Sequence, residues 1–164
     1  MSSEQVASII SVGDFSDRPI TLIGFGYMGH HFLDAVKALG VGRVRICTRS
    51  VPSELPKHSG EIEVISGGVD QLDRPPEIGE LGIVATPTTV ALEAAERLLQ
   101  LGYRDILIEK PVLYRSGAIA SLASKMEASK VNARAAYNRV AYPSYLEAKA
   151  LADKEGGVRS CTYA

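Results

Sequence analysis

Short runs rich in β-branched residues alternate along this chain with longer segments whose apolar positions recur at helical spacing. That alternation predicts an α/β protein with a doubly wound, mostly parallel sheet. A first strand is expected over 19–23, followed by a helix presenting Met28, Phe32, Val36 and Leu39 inward and stopped by Gly40. Strands over 43–47 and 61–65 come next, the latter alternating with period two as an edge strand would. Gly67, Gly68, Pro75 and Pro76 punctuate an irregular stretch with room for one helical turn. The wholly apolar run 81–85 reads as a central strand buried on both faces. Thr86-Pro87 opens a helix with Leu92, Ala95, Leu98 and Leu99 inward and Gly102 at its end. The remaining elements are a strand over 105–108, a helix over 116–129 with Ile119, Leu122, Ala123 and Met126 inward, a strand over 131–137, a helix from Pro143 to about Lys154 and a strand-like run at 158–163.

Composition narrows the partners. The 164 residues are 46% hydrophobic, enough for one core of ordinary domain size. Eighteen Lys and Arg against nineteen Asp and Glu give a formal charge of −1, so no single-signed field favours nucleic acid or an anionic membrane. The longest apolar runs fall far short of the roughly 18 to 20 residues that span a bilayer. Residues 1–19 lack a basic region and interrupt Val6, Ile9, Ile10 and Val12 with serines, unlike a secretory signal, and a cytoplasmic location is the expectation. Cys47 and Cys161 stand far apart in strand-like contexts, as buried reduced thiols would.

The candidate chemistry starts at Gly24-Phe25-Gly26-Tyr27-Met28-Gly29. The pattern GxGxxG alone is weak: at this glycine content chance supplies roughly 0.1 matches in such a chain. Its context is specific, because it leaves a strand and opens an amphipathic helix. Gly24 can then make the tight turn, Gly26 can let backbone touch a pyrophosphate, and Gly29 can let helix and strand approach. Free N–H groups and the positive end of the helix dipole favour a diphosphate there. In such a Rossmann unit the adenosine ribose is met about 20 residues later, at the tip of the second strand. That tip is Thr48-Arg49-Ser50, with no carboxylate to bind two ribose hydroxyls and with a guanidinium suited to a 2′-phosphate; NADP is the expected cofactor, NAD the alternative. His30 and His31 lack a third ligand nearby and read as one exposed and one half-buried side chain, not as metal ligands.

Three further strand-end motifs follow: Ala85-Thr86-Pro87, Glu109-Lys110-Pro111 and Tyr137-Asn138-Arg139. With the glycine loop and the spacing between all four, the chain from about Arg18 onward resembles the amino-terminal half of the Gfo/Idh/MocA family, which includes glucose–fructose oxidoreductase and inositol dehydrogenase. The resemblance implies a dinucleotide-binding domain followed by an α/β domain with an open antiparallel sheet, the two enclosing a sugar or cyclitol. It implies that Lys110 reaches the substrate and nicotinamide, that Pro111 follows a cis peptide, that Thr86, Pro87 and Glu109 border the cofactor, and that Asn138 lies near the nicotinamide. The family often has a histidine where this chain has Ala91, so any contact it supplies is missing. The family's Asp and His that donate and accept the proton belong to the second domain, of which 142–164 resembles only the opening.

The expected organisation is an extension over 1–17, a dinucleotide-binding domain over 18–140 and the start of a largely absent second domain over 141–164. Two functions follow. One is part of an oxidoreductase moving hydride between NADP and a sugar or cyclitol, with Lys110 as the remaining candidate proton partner. The other is a free-standing module that holds a dinucleotide without turnover. The unpartnered run 158–163 makes homo-oligomerisation plausible.

Overall fold

The structure, a computed structural model, describes residues 15–55, 57, 59–112, 116–158 and 160. Six strands form one sheet: β1 (Ile20–Ile23), β2 (Arg43–Thr48), β3 (Glu61–Ser66), β4 (Leu81–Val84), β5 (Asp105–Ile108) and β6 (Asn132–Ala135). Every pairing is parallel and the order is β3-β2-β1-β4-β5-β6. The chain therefore winds outward twice from the centre, and the two halves diverge between β1 and β4.

The connecting helices are α1 (Tyr27–Ala38), α2 (Thr88–Leu101) and α3 (Ser116–Ala128). Period-two alternation in the strands sends side chains to two cores. Leu22, Val44, Ile46 and Ile83 pack with Leu33 and Val36 of α1 on one face. Ile23, Cys47, Val84 and Ile106 pack with Ala91, Leu98, Leu122 and Met126 of α2 and α3 on the other. Gly82 lets α2 come close, since a Cβ there would lie 2.7 Å from Leu98 Cδ1.

Helix ends follow one device. The amides of Gly40 and Val41 return to the carbonyls of Lys37 and Val36, and those of Gly102 and Tyr103 to Leu99 and Leu98. The glycines hold φ of +73° and +93°, as this left-handed cap requires. Lys130 and Val131 close α3 the same way, with Lys130 at φ +55°.

Several inward faces differ from the sequence expectation. In α1 the buried positions are Gly29, Leu33 and Val36, while Leu39 is exposed and Phe32 only half-buried. The contact of Gly29 with the β1 turn rotates the helix onto the 29/33/36 stripe. In α2, Ala91 and Ala94 are buried with Ala95 and Leu98, and Leu92 and Leu99 flank them. In α3, Leu122 and Met126 are buried but Ile119 and Ala123 are exposed, because β6 lies at the sheet edge and gives α3 only a narrow strip to cover. The strand expected over 131–137 stops at Ala135, where its partner β5 ends at Ile108.

The chain divides into two units, one spanning 14–136, the other including 137–164. Among the described residues of the second unit, a short 3₁₀ turn (Asn138–Ala141) leads into α4 (Pro143–Lys154), and neither buries a residue. Val158 and Ser160 are not in a strand; Arg159, Cys161 and the rest of that run lie outside the described residues. Among the described residues, no helix is long and apolar enough to cross a membrane.

Candidate functional site

The carboxyl ends of β1, β2 and β4 surround a cleft of about 320 Å³ at the point where the sheet's two halves diverge. Its walls include Gly24, Phe25 and Gly26 from the glycine loop, Thr48, Arg49 and Ser50 from the β2 tip, and Thr86 and Pro87 after β4. Three segments widely separated in sequence thus meet at one crevice, the position where ligands enter open α/β sheets.

Each glycine of the loop has a distinct surrounding. Gly24, at φ +94°, turns over the end of β4, and a Cβ on it would lie 2.5 Å from the carbonyl oxygen of Ala85. A Cβ on Gly29 would collide with the carbonyl oxygen of Gly24. At Gly26 a Cβ would meet nothing within 4 Å among the described residues. Packing therefore explains the first and third glycines, whereas the second faces open space.

Helix α1 begins at Tyr27 with Gly26 as its N-cap and no side-chain cap. The amide of His30 is the first to bond within the helix, to the carbonyl of Gly26 at 3.1 Å. No acidic residue stands in the first turn. The amides of Tyr27, Met28 and Gly29 and the dipole's positive end are thus offered to an anion. Tyr27 is 79% exposed, and Met28 is half-buried. Both His30 and His31 are exposed, the expected half-buried one included; the His30 ring lies tilted against Phe25 at 4.2 Å and the His31 ring meets Tyr27 edge-on at 4.6 Å. Among the described residues no group of His, Cys, Asp or Glu could hold a metal ion.

At the β2 tip, Arg49 and Ser50 are exposed and Thr48 half-buried. Among the described residues, no carboxylate pairs with Arg49. On the opposite wall, Thr86 Oγ1 is buried without a hydrogen-bond partner among the described residues, a state a native hydroxyl rarely keeps unless a ligand or water completes it.

Sequence reasoning did not assign six of the wall residues to the site: Ile23, Cys47, Gly68, Val69, Ala85 and Val90. Cys47 donates its thiol to the carbonyl of Gly68 at 3.2 Å, and burial pushes that thiol up to about 11. The adjacent glycines after β3 were the one available signal for this wall.

The β5 tip stands apart from the cleft walls. The amide of Glu109 donates to the carbonyl of Val84 at 2.8 Å, which ties this tip to the end of β4. Glu109 is mostly buried; Lys110 is half-exposed, 3.8 Å from Glu109 Oε1. The Lys110–Pro111 peptide is cis, as the resemblance implied. Asn138 and Tyr137 belong to the second unit, in which Asn138 opens the 3₁₀ turn and Tyr137 is exposed.

Solved structures share this fold at low identity. An inositol dehydrogenase of Lactobacillus casei acting on the scyllo isomer matches with a TM-score of 0.69 and 19% identity, over 88% of this chain and 43% of that one. A myo-inositol 2-dehydrogenase of Lactobacillus plantarum matches with a TM-score of 0.69 and 18% identity, over 85% and 42%. The WlbA dehydrogenase of Thermus thermophilus, solved with NAD and UDP-GlcNAcA, matches with a TM-score of 0.62 and 22% identity, over 84% and 47%. No family model and no curated protein sequence matches the chain. The chain spans about two fifths of the length of the solved structures it matches, and what it shares with them is an all-parallel, Rossmann-type α/β fold.

Proposed function

We propose that this chain binds NADP in the cleft between the glycine loop, Thr48–Ser50 and Thr86–Pro87, as the cofactor-binding part of an oxidoreductase of the Gfo/Idh/MocA type. The observation that carries the reading is the open space at Gly26 beside the uncapped start of α1. It is a cradle that a Cβ would fill, lined by free amides, and so fits a pyrophosphate. The unpartnered Thr86 hydroxyl supplies a further polar group toward the same ligand.

In this reading the amides of Tyr27, Met28 and Gly29 hold the diphosphate, and Phe25 and Pro87 border the dinucleotide. Thr48, Arg49 and Ser50 take the adenosine end, where the guanidinium meets the 2′-phosphate. A bound nicotinamide supplies a carbon that accepts or donates hydride. Glu109 is assigned to its neighbourhood. Lys110, with its half-exposed ammonium on the tip next to β4, is assigned to hold or move the proton of a substrate hydroxyl or carbonyl. A sugar or cyclitol substrate is supported by the inositol dehydrogenases and by the nucleotide-sugar complex among the structures of the same fold.

A dinucleotide-holding module without turnover is the second reading, favoured by the half-exposed Lys110 that stands outside the cleft walls. Titration of the chain with NADP and NAD tests the shared core of both readings, and nicotinamide absorbance with a panel of polyols separates them. Binding of neither dinucleotide overturns both.

A further inference from the structure

The β2 tip is held from behind by the chain that leaves β3. Two consecutive amides, of Gly67 and Gly68, donate to the carbonyls of Arg49 at 3.2 Å and Thr48 at 3.0 Å. The thiol of Cys47 closes the pattern on the carbonyl of Gly68. Three successive residues of β2 and its tip are thereby strapped to one dipeptide.

That dipeptide has to be glycine. Gly67 and Gly68 stand at φ +102° and +93°. Gly68 also has ψ −170°, in a region that residues with a Cβ scarcely visit. The side chain of Arg49 crosses directly over it: a Cβ on Gly68 would lie 3.7 Å from Arg49 Cγ. Gly68, Cys47 and Arg49 all line the cleft. A long, exposed arginine loses much side-chain entropy when it meets a phosphate, and a fixed backbone under its stem lowers that loss.

We infer that Gly67–Gly68 is a positioning strap that holds Arg49 over the ribose end of the cleft and so sets discrimination for a dinucleotide bearing a 2′-phosphomonoester. The inference rests on the assignment of Thr48–Ser50 to the adenosine ribose. Gly67 and Gly68 act through Arg49, and the diphosphate contacts at the glycine loop do not depend on them.

The test is calorimetric titration of the full chain with NADP and with NAD at one ionic strength, for the unmodified protein, Gly68→Ala and Cys47→Ala. The ratio of the two dissociation constants is the readout, because damage to the fold weakens both ligands together and leaves the ratio alone. Gly68→Ala is expected to weaken NADP about tenfold and NAD less than about twofold, the size of one charge-assisted hydrogen bond lost. Cys47→Ala, which removes one anchor without straining the backbone, is expected to lower the preference for NADP over NAD about threefold and decides the matter if Gly68→Ala does not fold. An unchanged ratio in the folded variants, or equal loss of both ligands, overturns the strap and leaves the NADP assignment standing. A ratio near one in the unmodified protein overturns that assignment, and the strap with it.

Discussion

The carbonyl oxygen of Gly24 occupies the space that a Cβ on Gly29 would need. The first turn of α1 is thereby pressed onto the end of β1, and Gly26 between them is left facing the open cleft. Two glycines of one motif serve packing and one serves access, so substitutions at them should separate stability from binding.

Gly29→Ala should lower stability by about 1–3 kcal/mol, because the added methyl forces α1 off the β1 turn. Gly26→Val should leave the fold intact and weaken NADP by at least about tenfold, since its side chain enters the proposed diphosphate space. Urea unfolding and dinucleotide titration on both variants check this pair. Wild-type affinity in Gly26→Val would remove the loop from the site.

Arg49→Ala should reduce the preference for NADP over NAD by about tenfold to a hundredfold, with the lower figure at high salt, because the guanidinium is exposed. Thr48→Asp combined with Arg49→Ala should reverse the preference by supplying a ribose acceptor that repels the phosphate. Dissociation constants for both dinucleotides at a single ionic strength are the measurement.

At the other end of the strands, Glu80 accepts hydrogen bonds from Thr21, from Tyr103 at 3.2 Å and from Arg45 at 3.2 Å, and its second oxygen accepts the amide of Glu77 at 2.7 Å. The Arg45 and Glu80 side chains are 5% and 1% exposed. Glu80→Ala should cost about 3 kcal/mol, at the lower end for a broken buried pair, since it leaves the buried guanidinium with only the half-exposed Glu63 carboxylate at 3.0 Å. The proposed dinucleotide site lies at the carboxyl ends of the strands, so ligand affinity of the folded variant should match the parent. A large drop in affinity with little loss of stability would contradict this separation.

Alkaline pH should destabilise the fold through Cys47. Its thiol keeps its proton to about 11 in the folded state against an ordinary value of 9.0. Between those values the folded chain binds more protons than the unfolded one. Stability is therefore full below about pH 9 and falls as pH rises toward 11, by up to about 1.4 kcal/mol per unit. Burial likewise pushes the Tyr103 phenol up, which adds a loss of the same sign above pH 10. Urea midpoints from pH 7 to 10.5 should decline in the parent and decline less in Cys47→Ala; parallel curves would remove the thiol from the account.

What the sequence by itself determined was local. Gly40 and Gly102 end their helices because a left-handed cap needs only the adjacent turn. The α/β alternation, the edge character of β3 and the central place of β4 follow from hydrophobic period and burial, which each strand carries in its own residues. The glycine loop, Thr48–Ser50 and Thr86–Pro87 were legible as candidates because each is a strand-end motif. That they share one cleft is tertiary, since it depends on β2, β1 and β4 being neighbours. Strand pairing also decided where β6 ends, and the contact of Gly29 with Gly24 decided that Leu33, not Phe32, is buried. Arg45 looks like a misplaced charge in an apolar strand until Glu80, 35 residues on, and Tyr103, 58 residues on, arrive beside it. Gly67 and Gly68 read as punctuation, yet their amides find Arg49 and Thr48 only because β3 lies in register against β2, a pairing that no local pattern records.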